Sequence, residues 1–374
     1  METYIQVTLF VLFLLCFIVQ LYFPIANHRS LGAYVPEEEL PQIKLPPISV
    51  IISARNEAQN LRENLPSILT QKYPNFEVVV VNDCSYDDSN VVLEEFQKSY
   101  PNLKVVTITE HVRFKTGKKF ALTLGIKAAN NEHLLFTDAD CQPATPNWIT
   151  RMAAKFTGDT QIILGYSPYY KTAGFLNAII RFETLKTAIN YLSAALNADA
   201  YMGIGRNLAY TKTLFFATKG FAAHMHVLSG DDDLFVNQNA TPTNTAIEIH
   251  PDTFVFSTPK TTMASLFRQK KRHMGVGKLY KAKHRKILSF DAVSGLLFYA
   301  LLICCLCWRF EAFAILLILF VVRWIIQLII YHKIFKKLGE ARFLWYLPVF
   351  DYVYYLYINV FGLIGTFIKT RQWK

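Results

Sequence analysis

HLLFTDAD (133–140) is the stretch on which the fold turns. It is a short apolar run that ends in two carboxylates spaced i, i+2. Three more runs share its character: ISVIIS (48–53), FEVVVVND (76–83) and LKVVTIT (103–109). Between them lie longer amphipathic stretches. Continuous Val/Ile runs separated by helical patterns predict buried parallel strands in βαβ units, since a strand covered on both faces has no polar side to show. Three of the runs end in polar residues: Ala54-Arg55-Asn56-Glu57, Asn82-Asp83 and Asp138-Ala139-Asp140. Each could be a helix cap or turn taken alone. Taken together they predict one crevice, because ligands in open α/β sheets bind beyond the carboxyl ends of the strands.

Working outward, the chain of 374 residues splits into four parts: a membrane anchor (1–27), an α/β domain (46–258), a basic interfacial region (259–286) and C-terminal membrane segments (287–374). Only 18% of residues are charged and 52% are hydrophobic, which excludes disorder and argues against a purely soluble protein. Residues 5–23 form an apolar run long enough to cross a bilayer. No Lys or Arg precedes it, while His28 and Arg29 follow, so we read a retained anchor rather than a cleaved signal, with the following domain cytoplasmic. Residues 287–307 and 312–331 read as a hairpin of two spans. The apolar stretch 343–368 contains Pro348 and Asp351, and the sequence leaves open whether it crosses or re-enters. The six cysteines show neither a disulfide framework nor a zinc spacing.

Two acidic clusters carry chemistry. Asp138 and Asp140 at a strand end suit Mg²⁺ or Mn²⁺ together with the oxygens of a diphosphate. LSGDDDLF (228–235) packs three carboxylates in a row ahead of apolar residues, and a partly desolvated Asp there can act as general base. Neighbouring carboxylates and burial are expected to raise the proton affinity of Asp231. The formal charge of +11 comes mostly from residues 260–286, which hold ten Lys or Arg and no acid. Next to a membrane span this favours anionic lipid over nucleic acid, and some of these cations could clamp a pyrophosphate. Lys118 in TGKKFAL (116–122) is a further candidate phosphate contact.

In order, these motifs resemble glycosyltransferase family 2, in its membrane-integrated branch of processive synthases and ceramide-glucosyltransferase-like enzymes. The resemblance runs from about residue 48 to 275. SVIISARNEAQNL (49–61) resembles the opening strand and nucleotide-binding turn, which places Ala54, Arg55, Asn56 and Glu57 beside uracil and ribose. VVVNDCSYDDS (79–89) makes Asp83 the base contact, and GKKFALTLG (117–125) makes Lys118 the matching lysine, with Thr123 where Asn is usual. FTDADCQP (136–143) implies Asp140 as metal ligand and Asp138 nearer the nucleotide. GIGRNLAYTK (203–212) implies an acceptor side formed by Gly205, Arg206 and Asn207. SGDDDLF (229–235) resembles the catalytic-base element and implies Asp231 as base, with Asp232 as fallback. RQKKRHMG (268–275) gives Gln269 and Arg272, with His273 where a tryptophan is usual.

The resemblance implies a GT-A, Rossmann-like mixed sheet with flanking helices, one N-terminal and two to three C-terminal transmembrane helices. It implies an inverting, metal-dependent transfer from a nucleotide sugar, a UDP-hexose by expectation. The acceptor is a lipid or lipid-linked molecule at the cytoplasmic face of the cell's inner membrane. A processive synthase that extrudes its polymer is the alternative.

Overall fold

The computed structural model describes residues 2–39, 45–109, 117–307 and 313–367, with the side chains at 2, 3, 271–274 and 365–367 outside the described set. Nine strands occur among these residues: β1 (Ile48–Ala54), β2 (Phe76–Asp83), β3 (Leu103–Ile108), β4 (His133–Asp138), β5 (Cys141–Pro143), β6 (Ile162–Gly165), β7 (Leu208–Thr211), β8 (Thr245–Glu248) and β9 (Val255–Ser257). Seven build one sheet in the order β3-β2-β1-β4-β7-β6-β8, and β5 pairs with β9 apart from it. β1 runs parallel to β2 and β4, while β7 is antiparallel to both β4 and β6. The four expected strands form one contiguous parallel block, β6 and β8 are also parallel to each other, and the antiparallel β7 between the two groups makes the sheet mixed.

Both faces of the parallel half are covered, which is why those strands read as unbroken apolar runs. Val50, Ile52, Val78, Val80 and Leu135 join one core with Leu61 and Leu65 of α3 (Ala58–Leu69) and Val92 of α4 (Ser89–Ser99). Ile51, Val79, Leu134 and Phe136 turn to the opposite core, as the two-residue period of a strand requires. There α5 (Lys118–Ala128) lies so close that a Cβ on Gly125 would meet Ile51 and Val81 at 2.9 Å. α6 (Trp148–Ala153) covers the first face; α7 (Phe175–Leu196), α8 (Lys212–Ala217) and α9 (Asp233–Asn239) belong to the second.

That second core continues into the apolar helices. It joins Phe182 and Tyr191 of α7 to Phe13 of α1 (Glu2–Tyr22), Phe298 of α11 (Ala282–Cys307), Tyr331 of α12 (Phe313–Lys337) and Tyr355 of α13 (Leu347–Phe367). α2 (Arg29–Ala33) extends α1 through a π-helical turn, and α10 (Met263–Met274) packs on α13. Four helical stretches among the described residues are long and apolar enough to cross a membrane: Tyr4–Ala33, Ala282–Cys307, Phe313–Lys337 and Leu347–Ile364.

Within the open segment, Leu347–Phe367 form one regular helix. Pro348 sits in the first turn of α13, where its missing N–H breaks no helical bond. Asp351 is fully buried, with its carboxylate held by Arg323 Nη2 at 2.7 Å and Lys186 Nζ at 3.2 Å.

Candidate active site

The turn after β1 is built on the loop after β2. Asn56, at φ +55°, donates its N–H to Ser85 Oγ at 2.9 Å and accepts from Tyr86 N at 3.0 Å. Glu57 N bonds Ser89 Oγ at 3.1 Å, and Ala58 N bonds Asp87 Oδ2 at 3.0 Å. Ala54 closes β1, fully buried. Asp83, also fully buried, lies 3.9 Å from Arg55 Nη1. Among the described residues no N–H or O–H donates to either of its oxygens, and the Cys84 thiol lies against it. Burial pushes this carboxyl up against the pull of Arg55. Such an oxygen pair is poised to accept from an N–H that a ligand brings.

At the end of β4 the carboxylates of Asp138 and Asp140 and the Cys141 thiol lie within 4.8 Å of one another. Burial, then the like charge of Asp138, pushes Asp140 up. Two crowded carboxylates are the donor set that a hard dication relieves, so the residues present fit Mg²⁺ or Mn²⁺. Cys141 was not among the candidates read from sequence, although its place directly after the DxD was visible there. It donates to Asp140 Oδ1 across 3.4 Å.

Lys118, the first residue of α5, joins the two acidic clusters. Its Nζ lies 2.9 Å from Asp138 Oδ1 and 3.0 Å from Asp231 Oδ2. These three residues line one cleft with Thr137, Gly205 and Asp232. Burial works against the ammonium, but the facing carboxylates outweigh it and hold Lys118 well above the usual lysine range. The same pairing corrects one expectation. Burial alone would raise Asp231, yet Lys118 overrides it and its carboxyl sits below the ordinary carboxylate value.

The aspartate triplet points three ways. Asp231 faces Lys118. Asp232 accepts from Asp233 N at 2.8 Å, capping α9, and from Gly205 N at 2.7 Å, so each of its oxygens is occupied. Asp233 accepts from the Tyr280 hydroxyl at 2.8 Å. Burial and then Asp232 push Asp233 up to about 8. The neighbouring Lys119 donates to the carbonyls of His224 at 2.6 Å and Val227 at 3.1 Å, stapling the loop that leads to the triplet. Neither Tyr280 nor Lys119 was a sequence candidate.

Arg206 packs over the Tyr169 ring at 4.4 Å and donates to Ser167 O at 3.1 Å, with its buried Nη1 unpartnered among the described residues. Gln269 reaches the same ring's hydroxyl at 3.3 Å. Arg272 lies on α10, and its side chain falls outside the described residues. Asn207 does not face an acceptor. It is fully buried, accepting from Trp148 Nε1 at 3.0 Å and donating to the carbonyls of Tyr166 at 2.9 Å and Thr253 at 2.7 Å. Its amide holds the sheet edge together.

Comparison with known proteins agrees with this geometry. Residues 49–224 match the family model described as Glycosyl transferase family 2. Glycosyltransferase AglE of Haloferax volcanii is 32% identical over 123 residues, which span 32% of this chain and 39% of that protein. Poly-beta-1,6-N-acetyl-D-glucosamine synthase of Staphylococcus epidermidis is 30% identical over 159 residues, 39% of this chain and 37% of that protein. The chain thus spans under two-fifths of the length of these relatives. Among solved structures, the mannosyltransferase PcManGT from Pyrobaculum calidifontis, in complex with GDP-Man and Mn²⁺, superposes with a TM-score of 0.61. That match has 18% identity and covers 96% of this chain and 98% of that one, and it shows a shared fold. Residues 49–224 are a family 2 glycosyltransferase domain on a GT-A-like sheet. The aspartate triplet lies just beyond the matched span.

Proposed function

We propose that this chain, with its family 2 domain as the catalytic unit, moves a hexose from a nucleotide sugar to a lipid or lipid-linked acceptor with inversion. The observation that carries the reading is the convergence of Asp138, Lys118 and Asp231 on one cleft at the carboxyl edge of the sheet. Asp83 and the turn 54–57 bind the base and ribose, with the Asp83 carboxylate, to which no N–H or O–H donates among the described residues, favouring a base that offers an N–H, as uracil does. Asp138 and Asp140 hold a divalent cation, which supplies charge neutralisation at the diphosphate. Lys118 and Arg272 add positive charge where the leaving group gathers negative charge. Asp231, kept ionised by Lys118, takes the proton from the attacking hydroxyl. Gly205 and Arg206 form the acceptor side, and Gln269 buttresses it through Tyr169.

The membrane arrangement supports the same reading. The domain-facing ends of the four apolar helices are tied to the α/β domain. Asn197 Nδ2 donates to Asn27 O at 3.0 Å, Arg181 Nε to Glu340 at 2.8 Å, and Lys281 N to Asn237 at 2.8 Å. The cation-rich 260–286 segment lies on that side, which argues for a cytoplasmic domain. The centre of the bundle is filled by Phe13, Phe298, Tyr299 and Arg323, all buried, which favours single transfer over extrusion of a polymer.

A thermal-shift panel of UDP-hexoses and GDP-mannose with Mn²⁺ tests the proposal on the full chain. A cognate donor at a hundredfold excess over its Kd stabilises by about 2.7 kcal/mol. Asp231→Asn should keep that shift and lose transfer. A panel with no stabilising donor, or an Asp231→Asn variant that turns over normally, overturns it.

A further inference from the structure

Asp233 and Asn237 stand four residues apart on α9 and so share one face of that helix. Both grip the same short segment, 280–284, at the start of α11. Tyr280 donates its hydroxyl to Asp233 Oδ2 at 2.8 Å, and Lys281 donates its N–H to Asn237 Oδ1 at 2.8 Å. With that oxygen committed, the Asn237 amide nitrogen must donate, to Tyr201 O at 2.8 Å and to His284 Nδ1 at 3.0 Å. Nδ1 therefore accepts, and Nε2 of His284 donates to Asp199 Oδ1 at 3.2 Å. Asn237 is fully buried and His284 nearly so, at 0% and 5% exposure, so these bonds do not compete with water.

We propose that Tyr280, Asn237 and His284 are positioning residues that latch α9 to the first turn of a membrane-crossing helix and so set the height of Asp231 relative to the bilayer. The inference rests on the reading of Asp231 as the base. α9 has only seven residues, too few to hold its own direction, so its course is set by its anchors. Asp232 fixes its start to Gly205, and the latch fixes the flank that faces the membrane. A donor arrives from water and meets Lys118 and the DxD directly. A lipid-borne hydroxyl arrives at a fixed depth, and a displacement of about 1 Å between it and the base is enough to cost two orders of magnitude in rate.

The test uses the full chain in inverted inner-membrane vesicles carrying their own lipid acceptors, with the radiolabelled sugar nucleotide selected by the thermal-shift panel. Tyr280→Phe removes one hydroxyl and should lower kcat about tenfold, the rate equivalent of one hydrogen bond. Its donor KM and donor-induced melting shift should stay within twofold of wild type. His284→Gln, whose amide can accept at one atom and donate at the other, should retain activity, and His284→Leu should lose it as Tyr280→Phe does. The proposal falls if Tyr280→Phe and His284→Leu both keep kcat within twofold, if donor KM rises in step with the loss, or if His284→Gln fails alongside His284→Leu. Hydrogen exchange on the same vesicles separates this from failure of the glycosyltransferase reading. If no sugar nucleotide turns over, faster exchange at 231–239 in Tyr280→Phe with unchanged exchange at 118–128 upholds the latch, and unchanged exchange at 231–239 overturns it.

Discussion

Three adjacent aspartates titrate in different senses because each has a different neighbour. Asp231 is held low by Lys118 against the effect of its own burial, so it is ionised throughout the neutral range. At Asp233, burial and then the charge of Asp232 outweigh the nearby Lys119 and lift the carboxyl from 3.8 to about 8. A carboxyl whose folded value lies above its unfolded one contributes stability that is full below the unfolded value and is lost as pH rises through the folded value. The melting temperature should therefore decline between about pH 4 and 8 partly through Asp233. Lys119, lowered to about 8 chiefly by burial, contributes a slope of opposite sign, so the informative quantity is the difference between wild type and Asp233→Asn. The variant should show a flatter decline across that window. Two parallel melting curves against pH would mean that Asp233 does not hold its proton there.

The helix α9 separates two roles that the triplet could have shared. Asp232 spends one oxygen on the cap and the other on Gly205, and Asn can serve as an N-cap nearly as well as Asp. Asp232→Asn keeps the cap through its one oxygen but turns an amide nitrogen towards Gly205 N, so it should cost about 1 kcal/mol and retain most transfer. Asp232→Ala should cost about 1–2 kcal/mol, as N-cap losses do, read by denaturation of the full chain in detergent. If Asp232→Asn instead abolishes transfer with no larger loss of stability, Asp232 and not Asp231 is the base.

The same element shows where sequence stops being informative. The DxD and the triplet were legible because chemistry there depends on neighbours in the chain. The parallel strands were legible because burial on both faces leaves an unbroken apolar run. Gly230, just before the triplet, sits at φ +96°, where a Cβ would lie 2.6 Å from Leu234. The four-residue strands β6, β7 and β8 carry too few residues for a period to register. Asn207 was read as a ligand contact because its polar side chain gives no sign of the three buried partners that claim it. The contact between Tyr280 and Asp233 crosses 47 positions of chain, and no local pattern announces it.

At the scale of the molecule, the α/β domain and the apolar helices are joined through charge as well as apolar packing. Lys186 on α7, only 1% exposed, reaches the carboxylate of Asp351 on α13 at 3.2 Å. Arg323 on α12 takes the other oxygen at 2.7 Å, and it also donates to Gln20 on α1 at 2.9 Å and Tyr299 on α11 at 3.1 Å. One carboxylate thus answers two cations, and the surrounding bonds touch all four apolar helices and the catalytic domain. Removing a single partner from a buried ion pair strands the remaining charge and typically costs about 3–5 kcal/mol, whereas replacing the pair with apolar residues is often close to neutral. Asp351→Asn should accordingly destabilise the full chain by about 3–5 kcal/mol. Arg323 keeps hydrogen-bond partners without Asp351, whereas Lys186 loses its ion-pair partner and keeps the surrounding tyrosine rings and the more distant Asp291. The double change Lys186→Met with Asp351→Asn should therefore recover part of the loss, a coupling that a double-mutant cycle on unfolding in detergent would read directly. Strictly additive losses would mean that the Lys186 ammonium is not paired with Asp351.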